Sequence, residues 1–261
     1  MTLSIGPAGL GPTKTACETL EQYHKKGFRA CELAFTHSIY IKKEEDAERI
    51  GKKARSLGVA LSIHAPYYIN LNSEDDSKRE ASKARILECC RIGELLGAHT
   101  VVFHPGYYSK NKESSYEVIK NQIIDMMKEI EKNRWNITIS AETMGRVNVF
   151  GGLDEVKKLV DETGCGFCID FAHILAREGS VDYKKLVKIF PQKKWHTHFS
   201  GIVYGDKGEK NHRTTTKEEW KKLLENLPKD KEITLVNESP TMLEDCAEGL
   251  KIARGLGFYS N

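Results

Sequence analysis

At 261 residues, with 39% hydrophobic and 30% charged side chains, the chain has the size and balance of a globular protein with a substantial core, which excludes a disordered or fibrous polypeptide. No apolar run is long enough to cross a bilayer, and the first eleven residues lack the basic start and apolar stretch of a secretory signal, so a cytoplasmic monomer without a membrane partner is expected. A net charge of +3 is too small to identify a nucleic-acid partner alone, and seven cysteines without framework spacing predict free thiols.

Short apolar runs alternate with longer charged, amphipathic stretches along the whole chain. Strands are predicted near 3–5, 30–35, 61–64, 100–104, 137–142, 166–170, 195–198 and 232–238. Helices are predicted near 13–26, 44–57, 77–96, 114–132, 153–163, 182–190, 217–227 and 242–256. Eight alternating pairs close a parallel (βα)8 TIM barrel, an α/β fold forming a single domain over residues 1–261. Gly27, Gly58, Gly97 and Gly164 stand where helices would end in a left-handed cap. The segment after the first strand, Gly6-Pro7-Ala8-Gly9-Leu10-Gly11, lacks the GxGxxG fingerprint of an open dinucleotide-binding sheet.

Six residues carry the chemistry: His64, His104, Glu142, Asp170, His198 and Glu238, each ending a different predicted strand. A barrel gathers its active site from the carboxyl ends of separate strands, so these six would meet over one mouth. Strand alternation puts Ser62 with His64, Ser140 with Glu142, Cys168 with Asp170, and Thr234 and Val236 with Glu238 on shared faces. A single strand histidine is more often a hydrogen-bonded core residue than a ligand. Six such groups terminating apolar strands are another matter, because they would be costly to bury without a metal or ionic partners. Nitrogen and carboxylate donors suit zinc and similar divalent ions, which points to a multi-metal hydrolase.

The segments Ser62-Ile63-His64-Ala65-Pro66-Tyr67, Phe103-His104-Pro105-Gly106, Ala141-Glu142-Thr143, Cys168-Ile169-Asp170-Phe171-Ala172-His173, His198-Phe199-Ser200 and Asn237-Glu238-Ser239-Pro240 together resemble, in order, the motifs of the endonuclease IV family of apurinic/apyrimidinic endonucleases. The same superfamily holds xylose-isomerase-like sugar enzymes, so the barrel alone does not decide function. The resemblance implies a zinc-dependent DNA-repair enzyme that hydrolyses the phosphodiester 5′ to an abasic site in double-stranded DNA, leaves a 3′-hydroxyl and trims blocked 3′ ends. It further implies that His64, His104 and Glu142 hold one ion, that Glu142 bridges to a second completed by Asp170, His198 and Glu238, and that His173 and His212 serve a third. Manganese is an alternative to zinc, and Glu142 and Glu238 are the expected catalytic groups that orient water. Asp170 and His173, read as lying on one strand, would project to opposite sides and so serve different ions.

The chain departs from that family at two points. Lys210 stands two residues before His212, where the family has an aspartate, and an ammonium cannot ligate a metal. Asp206 or Glu209 would then substitute, or Lys210 would bind phosphate directly; two ions or three remain open. Gly201 also replaces a common aspartate, a change expected to retune ligand orientation. His196 shares a face with His198 and is expected to lie deeper in the barrel.

Tyr67 and Tyr68, and also Tyr107 and Tyr108, fall on mouth loops, where rings stack on exposed bases or simply pack; the resemblance favours Tyr67 and Tyr68 as DNA contacts. Lys42, Lys43, Lys110, Lys112, Arg146, Lys207, Lys210 and Arg213 fall near the same rim as candidate phosphate contacts. No arginine in Thr36-His37-Ser38-Ile39-Tyr40 matches the one the family uses there. Cys165-Gly166-Phe167-Cys168 enters a strand instead of opening a helix, so its thiols are read as packing residues, as are Cys89 and Cys90. A metal-dependent sugar isomerase or epimerase, and a damaged-DNA-binding module that no longer cuts, remain the alternatives.

Overall fold

A computed structural model describes residues 2–109 and 111–259, so Lys110 lies outside the described residues. Eight parallel strands form one sheet: β1 (Thr2–Pro7), β2 (Ala30–Ala34), β3 (Ala60–His64), β4 (Thr100–Phe103), β5 (Thr138–Glu142), β6 (Gly166–Asp170), β7 (Lys194–Phe199) and, after an inserted hairpin, β10 (Glu232–Asn237). Their order is β1-β10-β7-β6-β5-β4-β3-β2. The ends of that order approach each other through a parallel bridge between Ala8 and Glu32 and a hydrogen bond from the Arg29 N–H to the Ile5 carbonyl at 3.0 Å. The sheet is therefore a nearly closed (βα)8 barrel.

The strands are short apolar runs because both faces are covered, inside by the barrel core and outside by helices. Those helices are α1 (Ala16–Lys26), α2 (Glu44–Leu57), α3 (Asp76–Leu96), α4 (Lys112–Lys132), α5 (Leu153–Thr163), α7 (Tyr183–Ile189), α8 (Lys217–Asn226) and α9 (Met242–Gly255). The Asp75 and Asn111 side chains accept backbone N–H bonds at the starts of α3 and α4, and Thr216 with Glu219 forms a capping box on α8. All four glycine caps are left-handed, with φ of 92° at Gly27, 62° at Gly58, 67° at Gly97 and 75° at Gly164. No helix among the described residues is long and apolar enough to cross a membrane.

Three elements depart from the sequence reading, one helix and the two strands of a hairpin. The strand β6 runs without a loop into α6 (Phe171–Glu178), whose N-cap Asp170 accepts the His173 N–H at 2.7 Å. After β7 the chain forms an antiparallel hairpin of β8 (Gly201–Gly205) and β9 (Gly208–Arg213) outside the barrel sheet. A satellite apolar cluster of Ala172, Ala176 and Ile202 packs α6 against this hairpin. Gly201 at its root cannot carry a side chain, since a Cβ there would lie 2.4 Å from the Thr214 carbonyl oxygen.

The seam between β1 and β2 depends on Gly6, where a Cβ would lie 1.7 Å from the Ala30 carbonyl oxygen. The contact is with backbone and cannot be relieved by a rotamer change. Gly6→Ala is expected to cost about 3 kcal/mol or more, the upper end for overpacking, read as a lower urea midpoint at unchanged slope.

Candidate metal centre

His64, Glu142 and Asp170 are the last residues of β3, β5 and β6, His198 is the penultimate residue of β7, and His104 and Glu238 follow β4 and β10 directly. Parallel pairing sets Asp170 beside His198 in adjacent strands. The carboxyl ends of six strands thus deliver six ligand-type side chains to one mouth, over a cavity of about 360 Å³.

Glu142 lies at the centre and has no exposure to water. Its Oε2 is 3.1 Å from His64 Nε2 and 3.0 Å from His104 Nε2. Its Oε1 is 3.2 Å from His173 Nδ1 and 3.4 Å from His198 Nδ1. Each carboxylate oxygen therefore faces its own pair of imidazoles. Donor atoms of Glu142, Asp170, His198 and Glu238 all lie within 4.8 Å of one another, as do those of His64, Glu142 and His198 and those of Asp170, His173 and His212.

Neighbouring groups fix the rings. His64 Nδ1 lies 2.7 Å from the Ala65 carbonyl, which leaves Nε2 for the centre. The His173 Nδ1 lies 3.0 Å from the Thr143 carbonyl and His212 Nδ1 2.8 Å from Ser200 Oγ, so the two Nε2 atoms face each other at 3.2 Å. Such second contacts are how proteins orient metal-binding imidazoles. Glu142 Oε1 and His198 Nδ1 are buried without a hydrogen-bond partner of good geometry. Orphaned donors of this kind, in a set made of imidazole and carboxylate, fit divalent cations. The clusters could hold metal ions.

Burial alone would raise the Glu142 carboxyl, but the imidazoles of His104, His173 and His198 hold it well below the usual range. Burial likewise opposes charge on His64, yet Glu142 lifts its pKa to about 9. His173 and His198 are also raised against burial, by Asp170, Glu142 and Glu209 around the first and by the carboxylates of Glu238 and Glu32 around the second.

All eight predicted ligands, His64, His104, Glu142, Asp170, His173, His198, His212 and Glu238, surround this mouth. Asp170 and His173 do not project to opposite sides of one strand: His173 is in the first turn of α6, and its Nδ1 lies 3.5 Å from Asp170 Oδ2, on the same side. His196 sits below the mouth, as its position two residues before His198 implies, with Nε2 3.0 Å from Glu32 Oε2 and Nδ1 3.1 Å from His99.

Sequence reasoning missed Glu32. This carboxylate is fully buried in the middle of β2, accepts the Ser62 hydroxyl at 2.8 Å, and lies 3.0 Å from His198 Nε2. It backs the ring whose other nitrogen faces Glu142 and Glu238. The available signal was a glutamate between Cys31 and Leu33 in an apolar strand, which is untenable without a partner.

The rim is aromatic and partly basic. Tyr67 is 47% exposed and stacks on His104 at 5.6 Å, whereas Tyr68, at 50%, donates its hydroxyl to the His37 carbonyl and lies under Arg85. Tyr107 and Arg146 line the cavity, and Tyr108 turns away to bond Glu155. Arg213 is held in a two-pronged pair with Glu219 at 3.0 and 2.6 Å, and Lys210 is exposed on the hairpin against Gly205. Cys89, Cys90, Cys165 and Cys168 are buried free thiols. Burial raises the Cys168 thiol well above its usual range.

Residues 20–229 match the model of a family described as the xylose isomerase-like TIM barrel. The chain belongs to that family. It is 35% identical to an uncharacterized protein of Methanocaldococcus jannaschii over 80% of this chain and 81% of that one. It is also 31% identical to a probable endonuclease 4 of Mycoplasma genitalium, over 50% of this chain and 45% of that protein, so it spans about half the length of the endonuclease relative. Among solved structures, SacUVDE superposes with a TM-score of 0.78 at 14% identity, covering 99% of this chain and 100% of that one. D-psicose 3-epimerase of Clostridium cellulolyticum H10 superposes with a TM-score of 0.69 at 16% identity, covering 92% of each chain. At those identities the superpositions establish the fold alone.

Two outcomes follow from the electrostatics. Because His64, His173 and His198 carry raised pKa values, metal uptake at pH 7.5 is expected to release protons, and affinity should rise with pH towards about 9, measured by calorimetry in buffers of different ionisation enthalpy. Glu32→Gln should weaken metal binding roughly 10- to 100-fold in a chelator competition, as loss of a partner behind a ligand does.

Proposed function

We propose that this chain is a metal-dependent phosphodiesterase that incises double-stranded DNA on the 5′ side of abasic sites, leaving a 3′-hydroxyl. The observation that carries this reading is the division of imidazoles around Glu142: His64 and His104 face one oxygen, His198 and His173 the other, and His212 lies beyond His173. That is more ligand than one ion uses. The relationship to a probable endonuclease 4 supports the same chemistry.

In this reading His64, His104 and Glu142 hold one ion, Glu142, Asp170, His198 and Glu238 a second, and His173 with His212 a third, zinc being the ion best suited to the donors. Such ions would supply Lewis acidity, acidifying water and neutralising charge on a phosphodiester under attack. The chain's own residues do the rest. Glu238, partly exposed at the cavity edge and 3.5 Å from His198 Nδ1, orients the attacking water and takes its proton. The oxygen of that water forms the new bond to phosphorus, the bond to the 3′ oxygen breaks with its electron pair on that oxygen, and a proton from solvent completes the 3′-hydroxyl. Tyr67, lying flat over His104, offers a stacking face at the lesion, and Tyr68 extends the same loop. Arg146 lines the cavity as a charge for the flanking phosphate, whereas Lys210 is on the outer face of the hairpin. Arg213 contributes through the hairpin it clamps to α8.

A second reading, a sugar epimerase, is favoured by one feature: Glu142, Asp170, His198 and Glu238 are by themselves a complete set for a single divalent ion, in a fold shared with D-psicose 3-epimerase. It leaves His64, His104, His173 and His212 without a task.

The deciding assay uses a duplex oligonucleotide with one stable abasic analogue and zinc-loaded protein. Cutting 5′ to the lesion is expected, lost with metal-stripped protein and reduced at least about a thousandfold by Glu142→Ala. Absence of cutting by folded, fully metallated protein, with turnover of a ketose, would transfer the assignment to the sugar reaction; binding of the lesion without turnover on either substrate would leave a damage-binding protein.

A further inference from the structure

The hairpin after β7 contains one irregularity, and it falls on the residue that breaks the family pattern. Pairing runs Ile202 to His212 and Val203 to Asn211, but then Tyr204 to Glu209 and Gly205 to Gly208. Strand β9 therefore holds one extra residue, Lys210, opposite no partner. In a regular strand residues three apart face opposite sides, and a one-residue bulge reverses that parity. Glu209 and His212 consequently share the cavity face.

Glu209 arrives with a carboxylate. Its Oε2 lies 3.4 Å from His173 Nε2 and its Oε1 3.8 Å from His212 Nε2, around the two ring nitrogens that oppose each other at 3.2 Å. The backbone is pinned there: the Glu209 N–H donates to the Gly145 carbonyl at 3.1 Å, and Arg146 bridges to Gly208. Gly145 leaves room for the side chain, since a Cβ at that position would lie 2.8 Å from Glu209 Cβ. Asp206 is exposed in the turn, and Lys210 is on the outer face against Gly205.

We infer that Glu209, turned inward by the bulge at Lys210, is the carboxylate ligand that completes a third divalent-metal site with His173 and His212. The inference rests on the multi-metal reading above and decides between Asp206 and Glu209, the two nearby carboxylates that the sequence offers in place of the missing aspartate. Lys210 is then the residue that sets the strand's phase, whereas the ligand is its neighbour.

The test is metal content by mass spectrometry after zinc loading and gel filtration, with chelator competition for the weakest ion and circular dichroism to verify folding. Wild-type protein should hold three zinc ions. Glu209→Gln, nearly identical in shape, should hold two or bind the third more than about 100-fold more weakly, exceeding the loss typical of a supporting partner. Asp206→Asn should hold three. Deletion of Lys210 should also hold three, because in the regular strand Glu209 precedes the histidine by two positions and again shares its face. Three tightly held ions in Glu209→Gln, or loss of the third in Asp206→Asn, would overturn the assignment of Glu209 and leave the multi-metal reading intact. A wild-type protein that holds only one ion would instead overturn that reading.

Discussion

A carboxylate sealed from water at the end of β5 sets the terms for the rest of this molecule. Removing an ionised Glu142 from solvent costs several kcal/mol, and the cost is tolerable only if positive charge surrounds it. The barrel meets that demand from four directions, with imidazoles from the ends of β3 and β7, from just past β4 and from the first turn of α6. Acidic neighbours in turn raise the pKa of His64, His173 and His198 against their burial. In the proposed multi-metal reading His64, His104 and His198 would offer the ions the atoms that face Glu142, whereas His173, whose Nδ1 is taken by the Thr143 carbonyl, would offer Nε2.

The supports behind these rings explain features that look incidental in isolation. Glu32 is buried beside His198 and is itself held by Ser62 and His196. The Ala65 and Thr143 carbonyls and the Ser200 hydroxyl turn one nitrogen of His64, His173 and His212 outward, leaving the other for the centre. Polar layers reach deep into the barrel for this reason, where an ordinary barrel has branched apolar side chains. The hairpin of β8 and β9 then walls one side of the mouth, docked on Gly145 and on α6.

Much of this was legible in the sequence because parallel strands are buried on both faces and so appear as short apolar runs, each ending in a chemically conspicuous residue. The eight strands emerge from that pattern, and the residues from His64 to Glu238 that it singles out converge on one mouth. What escaped it obeys different rules. Glu32 lies inside its strand instead of at the end. The helix α6 is only eight residues long and follows Asp170 directly, so from sequence its first turn looks like extended chain, which places His173 on the wrong side. Glu209 is offered by the sequence beside Asp206, but its inward phase depends on a bulge, a long-range pairing property that no local periodicity reports. Arg213, a reasonable phosphate contact from charge and position, is clamped by Glu219.

Anomalous diffraction at the zinc edge from crystals grown with zinc tests the central claim most directly. The two oxygens of Glu142 are predicted to contact separate anomalous peaks, one shared with His64 and His104 and the other with Asp170, His198 and Glu238. A single peak, or a Glu142 carboxylate bound only to imidazolium protons in zinc-saturated crystals, would contradict a centre built around a bridging glutamate.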